Sequence, residues 1–341
     1  MNGDMVEIST DVAIIGAGPV GMFGVFQLGM LGINSCLIDN LQFVGGQCNA
    51  LYPEKPIYDI PGFPKIVASE LISQLNEQMM PFKPQLLLGN TAVALNGECG
   101  DFTLITDCGN RIKCKAVIIC AGSGSFVPNR PAIQDIEKYE SKSVFYSVTQ
   151  KNIFKDKKVA IAGGGDSAAD WAVILSDIAE KVYLIHRRDN FRCLPQTAEK
   201  ISTIAKSGKI EMCIPYQMHA ITGDEKTIEQ LTLLNVNDDS RKKIDVDLIL
   251  PFFGLNTDVS ALDSFNITIE KKHIVVNYAN MQSSRAGIFA AGDIATYNGK
   301  LKLILTGFAE VAVAAHSAYA VVFPDKPLHF QHSTTKWVSN I

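Results

Sequence analysis

Two groups of residues in this chain have the types and spacing to bind nucleotide cofactors. The first is Gly16-Ala17-Gly18-Pro19-Val20-Gly21, followed by Asp39. Gly16 permits a tight turn, Gly18 lets backbone approach a pyrophosphate, and Gly21 lets a helix pack closely on a strand. The helix N-terminus then offers free N–H groups and the positive end of its dipole. Asp39 follows Gly18 at the roughly 20-residue separation where a carboxylate, ending the second strand, accepts hydrogen bonds from a ribose. So read, the stretch is a socket for the ADP half of a dinucleotide. The alternative is a Gly-rich turn with no ligand.

The second group is Gly163-Gly164-Gly165-Asp166-Ser167-Ala168, the GxGxxA variant of the same turn, with His186-Arg187-Arg188 and Arg192 beyond it. Gly163, Gly165, Asp166 and Ser167 would form the phosphate turn. A carboxylate at the end of the second strand would repel a 2′-phosphate, whereas guanidinium groups bind it through charge-assisted, bidentate hydrogen bonds. The arginines therefore point to NADP over NAD, the other reading being a solvated basic turn. A third feature is Asp293, after the strand-like run 287–292. It is placed to hold the ribityl or phosphate end of a flavin, or simply to cap a helix.

The elements that must position these groups repeat. An apolar strand from Val12, a glycine turn, a helical segment and a strand ending in Asp39 have their counterpart in 159–162, 163–168, 169–179 and 181–185. Gly16 and Gly163 correspond, so the chain contains two dinucleotide-binding units. Between them, 40–64 is dense in Gly, Pro and aromatics and predicts a shaped loop without regular structure. Long ordered loops are commonly functional, although Tyr52, Tyr58 and Phe63 could equally just pin a surface loop. The apolar spacing over 66–80 predicts a helix. Strand-like runs at 85–88, 92–95, 101–106 and 111–119, with Asn96-Gly97 and Gly109-Asn110 turns, predict an antiparallel layer. A buried strand over 116–121 is then broken by the Gly-Ser stretch from Gly122 to Pro128. Runs 210–220, 230–235 and 245–250 predict further strands, and a helix follows near 303–322.

At 341 residues the chain exceeds one ordinary domain. Its 47% hydrophobic and 19% charged residues describe a globular protein with sizeable cores. A net charge of -4 with no long Lys/Arg run argues against a nucleic-acid footprint. Residues 1–10 lack the basic start and apolar core of a signal peptide. The apolar segment 301–323 is interrupted by Lys302, Gly307, Glu310 and His316, so it predicts a core helix rather than a membrane span. The eight cysteines include no Cys-x-x-Cys and no zinc spacing, which implies reduced thiols in a cytoplasmic protein and no metal.

Together with Gly45-Gly46-Gln47, Tyr52-Pro53-Glu54-Lys55, 163–171, His186-Arg187-Arg188 and His332-Ser333-Thr334, the two fingerprints resemble the thioredoxin reductase superfamily of flavoprotein reductases. Within it they are most similar to the thioredoxin-reductase-like class of bacterial ferredoxin-NADP reductases, over essentially the whole chain. The resemblance implies an α/β fold of two Rossmann-like dinucleotide-binding domains, three-layered, each with a parallel sheet and an antiparallel layer. The FAD domain is discontinuous: 1–121 and 287–341 would bind FAD, and 122–286 NADP. It further implies that Asp39 binds the adenosine ribose, Gln47 lies near the isoalloxazine, and Gly46, Val93, Phe126, Asp293 and Thr334 also contact FAD. Tyr52 would stack on one flavin face and His332, in a C-terminal extension, would cover the other. Members are homodimers that exchange single electrons with ferredoxin or flavodoxin and hydride with NADPH. If Tyr52 and His332 shield the ring, nicotinamide access requires a domain rotation or tail movement.

Thioredoxin reductases of this fold carry a redox Cys-x-x-Cys just before the second fingerprint, and here 146–152 contains no cysteine. Disulfide exchange needs an attacking thiolate and a resolving thiol, so thioredoxin reduction by that route is not expected. Two other readings stay open: an NADPH-dependent disulfide or peroxide reductase using Cys48, and a redox-inactive NADP(H)-sensing module.

Overall fold

The computed structural model describes residues 6–224 and 226–328. The chain forms two compact units, divided between Phe126 and Val127 and again between Asn256 and Thr257. The first unit is therefore built from two separate stretches of chain and the second from one.

In the first unit five parallel strands lie in the order Ile288–Ala290, Ala116–Ile119, Val12–Ile15, Ser35–Asp39, Gln85–Leu88. The central strands are buried on both faces, which is why Val12–Ile15 and Ala116–Ile119 read as unbroken apolar runs. Helix Pro19–Met30 packs on Val12–Ile15 and Ser35–Asp39, and helix Ala68–Met79 packs on Pro19–Met30. An antiparallel layer of Ala92–Glu98, Asp101–Thr106 and Arg111–Cys114, with Glu7–Ser9 pairing parallel at its edge, completes the unit.

The expected antiparallel layer needs three corrections. Asn96-Gly97 lies inside strand Ala92–Glu98, and the chain turns instead at Cys99-Gly100 into Asp101–Thr106. Strand Gln85–Leu88 belongs to the parallel sheet, in register with Ser35–Asp39; its short apolar run carries no signal of partner direction. The run expected over 111–119 ends at Cys114, alternating buried and exposed, and the buried strand expected over 116–121 is a separate one, Ala116–Ile119, in the parallel sheet. Lys115 is the corner. Its N–H donates to the Asp11 carbonyl at 2.8 Å, and its ammonium meets the Asp11 carboxylate at 3.0 Å.

Residues 257–286, expected in the second domain, pack in the first unit. Leu262 and Phe265 enter its core, and the Ser264 hydroxyl donates to the Val93 carbonyl at 2.7 Å. The Arg285 guanidinium donates to the carbonyls of Phe265 and Gly97 and lies 5.2 Å from the centre of the Phe102 ring. Tertiary contacts alone decide where this segment belongs.

Helix Ile304–Val322 is long and apolar enough to cross a membrane by length and composition. It serves here as a core helix, burying Gly307, Glu310, Val311, Ala314, Ala315 and Ala318 and packing on Pro19–Met30 and Ala116–Ile119.

The second unit repeats the plan with four parallel strands in the order Ile210–Cys213, Lys181–Ile185, Lys158–Ala162, Leu248–Pro251. Helices Asp166–Ser176 and Pro195–Lys206 flank it. An antiparallel sheet of Tyr216–Gly223, Ile228–Asn235 and Arg241–Asp245 is added. The run expected over 210–220 breaks at Ile214-Pro215, and that over 245–250 breaks between Asp245 and Leu248.

All eight cysteines are free thiols. Burial pushes the thiols of Cys36 and Cys114 up to about 12 and that of Cys213 up to about 11. In an unfolded chain they titrate near ~8.5. Because the folded values are raised, this contribution to stability is complete below about pH 8.5 and is lost as pH rises toward 11–12. The unfolding free energy should fall between about pH 8.5 and 10.5, by on the order of 1 kcal/mol per pH unit for each buried thiol. Urea unfolding under reductant at these two pH values tests it, and an unchanged midpoint would contradict it.

Candidate functional site

The first glycine turn is closed on two sides and open on the third. Gly16 has φ +107°, and a Cβ there would lie 2.3 Å from the Cys120 carbonyl oxygen. A Cβ on Gly21 would come within 1.9 Å of the Gly16 carbonyl oxygen, so helix and strand touch through bare backbone. A Cβ on Gly18 would meet nothing within 4 Å. Gly18 caps the helix Pro19–Met30, whose first turn includes Pro19 and holds no acidic side chain. This open backbone beside a helix N-terminus fits a pyrophosphate.

Asp39 sits half-buried at the end of its strand. Its carboxylate accepts from the Ala17 N–H at 2.6 Å and the Leu41 N–H at 2.8 Å. Burial pushes the Asp39 carboxyl above the usual carboxylate value, opposed by those two backbone donors. One carboxylate thus braces the turn and still has lone pairs for a ribose.

The stretch read as an irregular loop contains a short helix, Gly46–Leu51. Gly45 and Gly46, at φ +109° and +53°, turn the chain into it. The Gly45 N–H donates to the Ala17 carbonyl at 2.8 Å, and the Asn49 amide donates to Val44 O at 2.9 Å. A Cβ on Gly46 would lie 3.0 Å from Gly18 Cα, so this segment is brought against the first turn. Gln47 is half-buried beside the 2%-exposed Cys48.

The Cys48 thiol donates to the Tyr52 hydroxyl across 3.7 Å. Burial raises the thiol above its ordinary value, with the Tyr52 contact acting in the opposite sense. The Tyr52 phenol is raised as well, first by burial, then by Cys48, Asp293 and Asp59. Tyr52 is packed against the core with the Asp293 carboxylate in its electrostatic neighbourhood. Asp293 lies just beyond the strand Ile288–Ala290. Helix Ile304–Val322 starts too far along the chain for Asp293 to be its N-cap, the position held by Leu303. The fold also ties the preceding residue to a group that the sequence reading missed: the Gly292 N–H donates to Glu310 at 2.8 Å. The signal was a lone carboxylate within an otherwise apolar helix.

The second glycine turn repeats the design. A Cβ on Gly163 would lie 2.7 Å from the Phe252 carbonyl oxygen, and one on Gly165 would meet nothing within 4 Å. Gly165 caps the helix Asp166–Ser176, which opens with the exposed Asp166 and Ser167. Residues 186–192 fold back over the turn. The Arg192 N–H donates to the Gly164 carbonyl at 2.6 Å, and a Cβ on Gly164 would strike the His186 ring at 2.1 Å. His186 also rests on Phe191, with ring centres 5.1 Å apart. Burial holds its imidazole below the usual histidine range, reinforced by Arg188, Arg187 and Arg192 and opposed by a backbone bond with Asn190. Arg187, Arg188 and Arg192 are exposed, and none forms an ion pair with a described carboxylate. An open turn next to uncommitted guanidinium groups suits a phosphorylated nucleotide.

Within the first unit, then, Gly16, Gly18, Pro19, Gly21, Asp39 and Gly46 converge, with Tyr52 and Asp293 near each other. In the second, Gly163, Gly165, Asp166, Ser167 and Arg192 converge, with Arg187 and Arg188 on the turn after Lys181–Ile185. Val93 is exposed on the antiparallel layer and Phe126 is half-buried at the end of the first stretch. Among the described residues, no hydrogen bond joins either to the glycine turn. His332 and Thr334 lie outside the described residues.

The chain matches the family model for pyridine nucleotide-disulphide oxidoreductases over residues 10–318. A ferredoxin–NADP reductase of Wolbachia pipientis wMel is 50% identical over 97% of this chain and 98% of its own length. One of Ehrlichia ruminantium strain Gardel is 49% identical, covering 99% of this chain and 100% of its own. Among solved structures, Lactococcus lactis thioredoxin reductase aligns with a TM-score of 0.76 at 25% identity, over 92% of this chain and 99% of that one.

Proposed function

This chain belongs to the pyridine nucleotide-disulphide oxidoreductase family, and from that premise we propose that it is an FAD-dependent reductase passing electrons between NADP(H) and ferredoxin. The observation that carries the reading is the opposite chemistry at the ends of two matching folds. Asp39 braces one open turn and the uncommitted Arg187 and Arg188 flank the other. The first suits an adenosine ribose without a 2′-phosphate, and the second suits one that carries it.

On this reading Gly18 and Gly46 offer backbone to the FAD pyrophosphate, Asp39 holds the ribose, and Gln47, Tyr52, Val93, Phe126 and Asp293 line the rest of the flavin. Gly163, Gly165, Asp166, Ser167, Arg187, Arg188 and Arg192 hold NADP(H). Bound FAD supplies the coupling of two-electron to one-electron transfer, because the cofactor carries the redox chemistry. Hydride transfer itself needs no side-chain base. The protein's part is to orient, and Tyr52, packed against the core of the first unit, is placed to do so.

Anaerobic addition of NADPH to the purified protein should bleach the flavin's visible absorbance, and cytochrome c reduction should then depend on added ferredoxin. A colourless protein would instead support an NADP(H)-sensing module, and cytochrome c reduction indifferent to ferredoxin would remove ferredoxin as the carrier. Flavodoxin is proposed as an interchangeable carrier, tested by substitution in the same assay.

The buried, protonated Cys48 weighs against the thiol-based reading. Cys48→Ser should leave NADPH-driven flavin reduction within about twofold of the wild type, since a small buried residue is exchanged for a similar one. Loss of disulfide- or peroxide-dependent NADPH oxidation in that variant would revive the reductase alternative.

We further read the protein as a soluble cytoplasmic homodimer whose His332 and Thr334 reach the flavin. Sedimentation would test the dimer and cell fractionation the compartment. Deleting 330–341 should alter both the rate of flavin reduction and FAD retention, and no change in either would remove the tail from the mechanism.

A further inference from the structure

Beneath the turn that carries Asp293 lies a charged group for which the proposed redox chemistry has no use. Lys300 and Glu310 form an ion pair with side chains 6% and 5% exposed, and the ammonium reaches both carboxylate oxygens at 2.5 and 2.6 Å. The Tyr297 hydroxyl donates to Glu310 Oε1 at 2.6 Å, and the Gly292 N–H donates to Oε2 at 2.8 Å. Gly292 and Gly307 also close on Val20 of the first glycine turn. A Cβ on Gly307 would lie 2.4 Å from Val20 Cγ2 and 3.3 Å from Gly292 Cα, and one on Gly292 would lie 3.3 Å from Val20 Cγ2.

A buried ion pair is weak grounds for a stability role. Desolvating two charges costs about as much as their attraction returns, and apolar replacement of both partners is often neutral. What such a pair supplies is geometry. The carboxylate is saturated by Lys300, Tyr297 and one backbone amide, so it fixes that amide in place. The amide belongs to the residue before Asp293, and the same backbone rests on the turn that faces the open ground at Gly18.

We infer that Lys300 and Glu310 are positioning residues that hold the Gly292–Asp293 turn ready for FAD before the cofactor binds. The inference rests on FAD occupying the first unit. It places the energetic effect of the pair in cofactor affinity rather than in the stability of the apoprotein.

Two double variants of the full chain separate these roles. Lys300→Met with Glu310→Leu removes both charges and leaves the Gly292 amide without an acceptor. Lys300→Met with Glu310→Gln removes both charges and retains an oxygen for it. FAD titration of each apoprotein, followed by flavin fluorescence, should find the leucine variant at least about tenfold weaker than wild type and the glutamine variant within about threefold. The leucine apoprotein should melt only a few degrees below the glutamine one, the cost of one unpaired buried amide, and both should stay folded at the temperature of the titration. Wild-type affinity in both would overturn the inference, as would equal weakening that tracks equal loss of apoprotein stability. Should neither variant fold, hydrogen exchange in the wild-type apoprotein decides: a protected Gly292 amide is expected, and free exchange overturns the idea. Failure of the wild-type protein itself to bind FAD would instead reject the proposed function.

Discussion

Replacing Arg187 and Arg188 together with alanine should raise the KM for NADPH on the order of 100-fold and leave that for NADH within a few-fold. Each charge-assisted hydrogen bond is worth about 1.5–3 kcal/mol, and about 3 kcal/mol corresponds to somewhat more than 100-fold. The side chains are exposed and pair with no described carboxylate, so their removal takes nothing from the fold. The neighbouring structure rests on other contacts: His186 on Gly164 and Phe191, and the Arg192 N–H on the Gly164 carbonyl. Thermal midpoints should be unchanged, which separates a lost phosphate contact from a disturbed turn. Lysine at both positions should restore only part of the preference, since an ammonium lacks the planar fork. Equal effects on the two cofactors would remove the assignment of this turn to the 2′-phosphate.

The second large effect distinguishes a glycine that faces a ligand from one that faces protein. At Gly18 the backbone has φ -71° and ψ -179°, open to any residue, and an added Cβ meets no protein atom within 4 Å. Gly18→Ala should therefore destabilise the apoprotein by at most about 1 kcal/mol, the cost of alanine at a helix N-cap. FAD affinity should fall about 10- to 100-fold, because the methyl group occupies ground needed by the pyrophosphate at an overpacking cost of about 1–3 kcal/mol. Gly21→Ala should do the reverse. Its Cβ would press on the Gly16 carbonyl oxygen, a backbone atom that cannot move aside, and the apoprotein should lose several kcal/mol, more than ordinary overpacking at about 1–3 kcal/mol. Chemical denaturation of the apoproteins and flavin titration resolve both. Wild-type FAD binding by Gly18→Ala would mean that the cofactor does not pass over this turn.

Both turns were legible in the sequence because their chemistry is local. A glycine spacing, an apolar strand and a charged residue at the next strand's end lie within one short stretch of chain. Features set by distant partners were not. Nothing in 85–88 tells a parallel strand from an antiparallel one, and its partner Ser35–Asp39 settles the matter. Lys115 reads as one more strand residue until Asp11 turns it into a corner. The helix Gly46–Leu51 hides in a stretch whose Gly and Pro content reads as a loop without regular structure, because the two left-handed glycines that turn the chain into it, Gly45 and Gly46, are themselves turn residues. Glu310 looked like an interruption in an apolar helix because its partner Lys300 belongs to the loop before that helix and shows no helical spacing with it.

The split construction of the first unit bears on the order in which the protein can be completed during synthesis. Strand Ala116–Ile119 emerges early, yet its neighbour Ile288–Ala290 and the covering helix Ile304–Val322 emerge only after the whole of Val127–Asn256 has been made. Until then the nascent sheet has an unpaired edge and a bare apolar face, features that invite pairing with the wrong chain. The inserted unit, by contrast, is continuous and has its sheet complete when its last strand leaves the ribosome. The unit that is translated second is thus the first able to finish folding, and the turn beneath Gly18 must wait for the last helix before it can be locked.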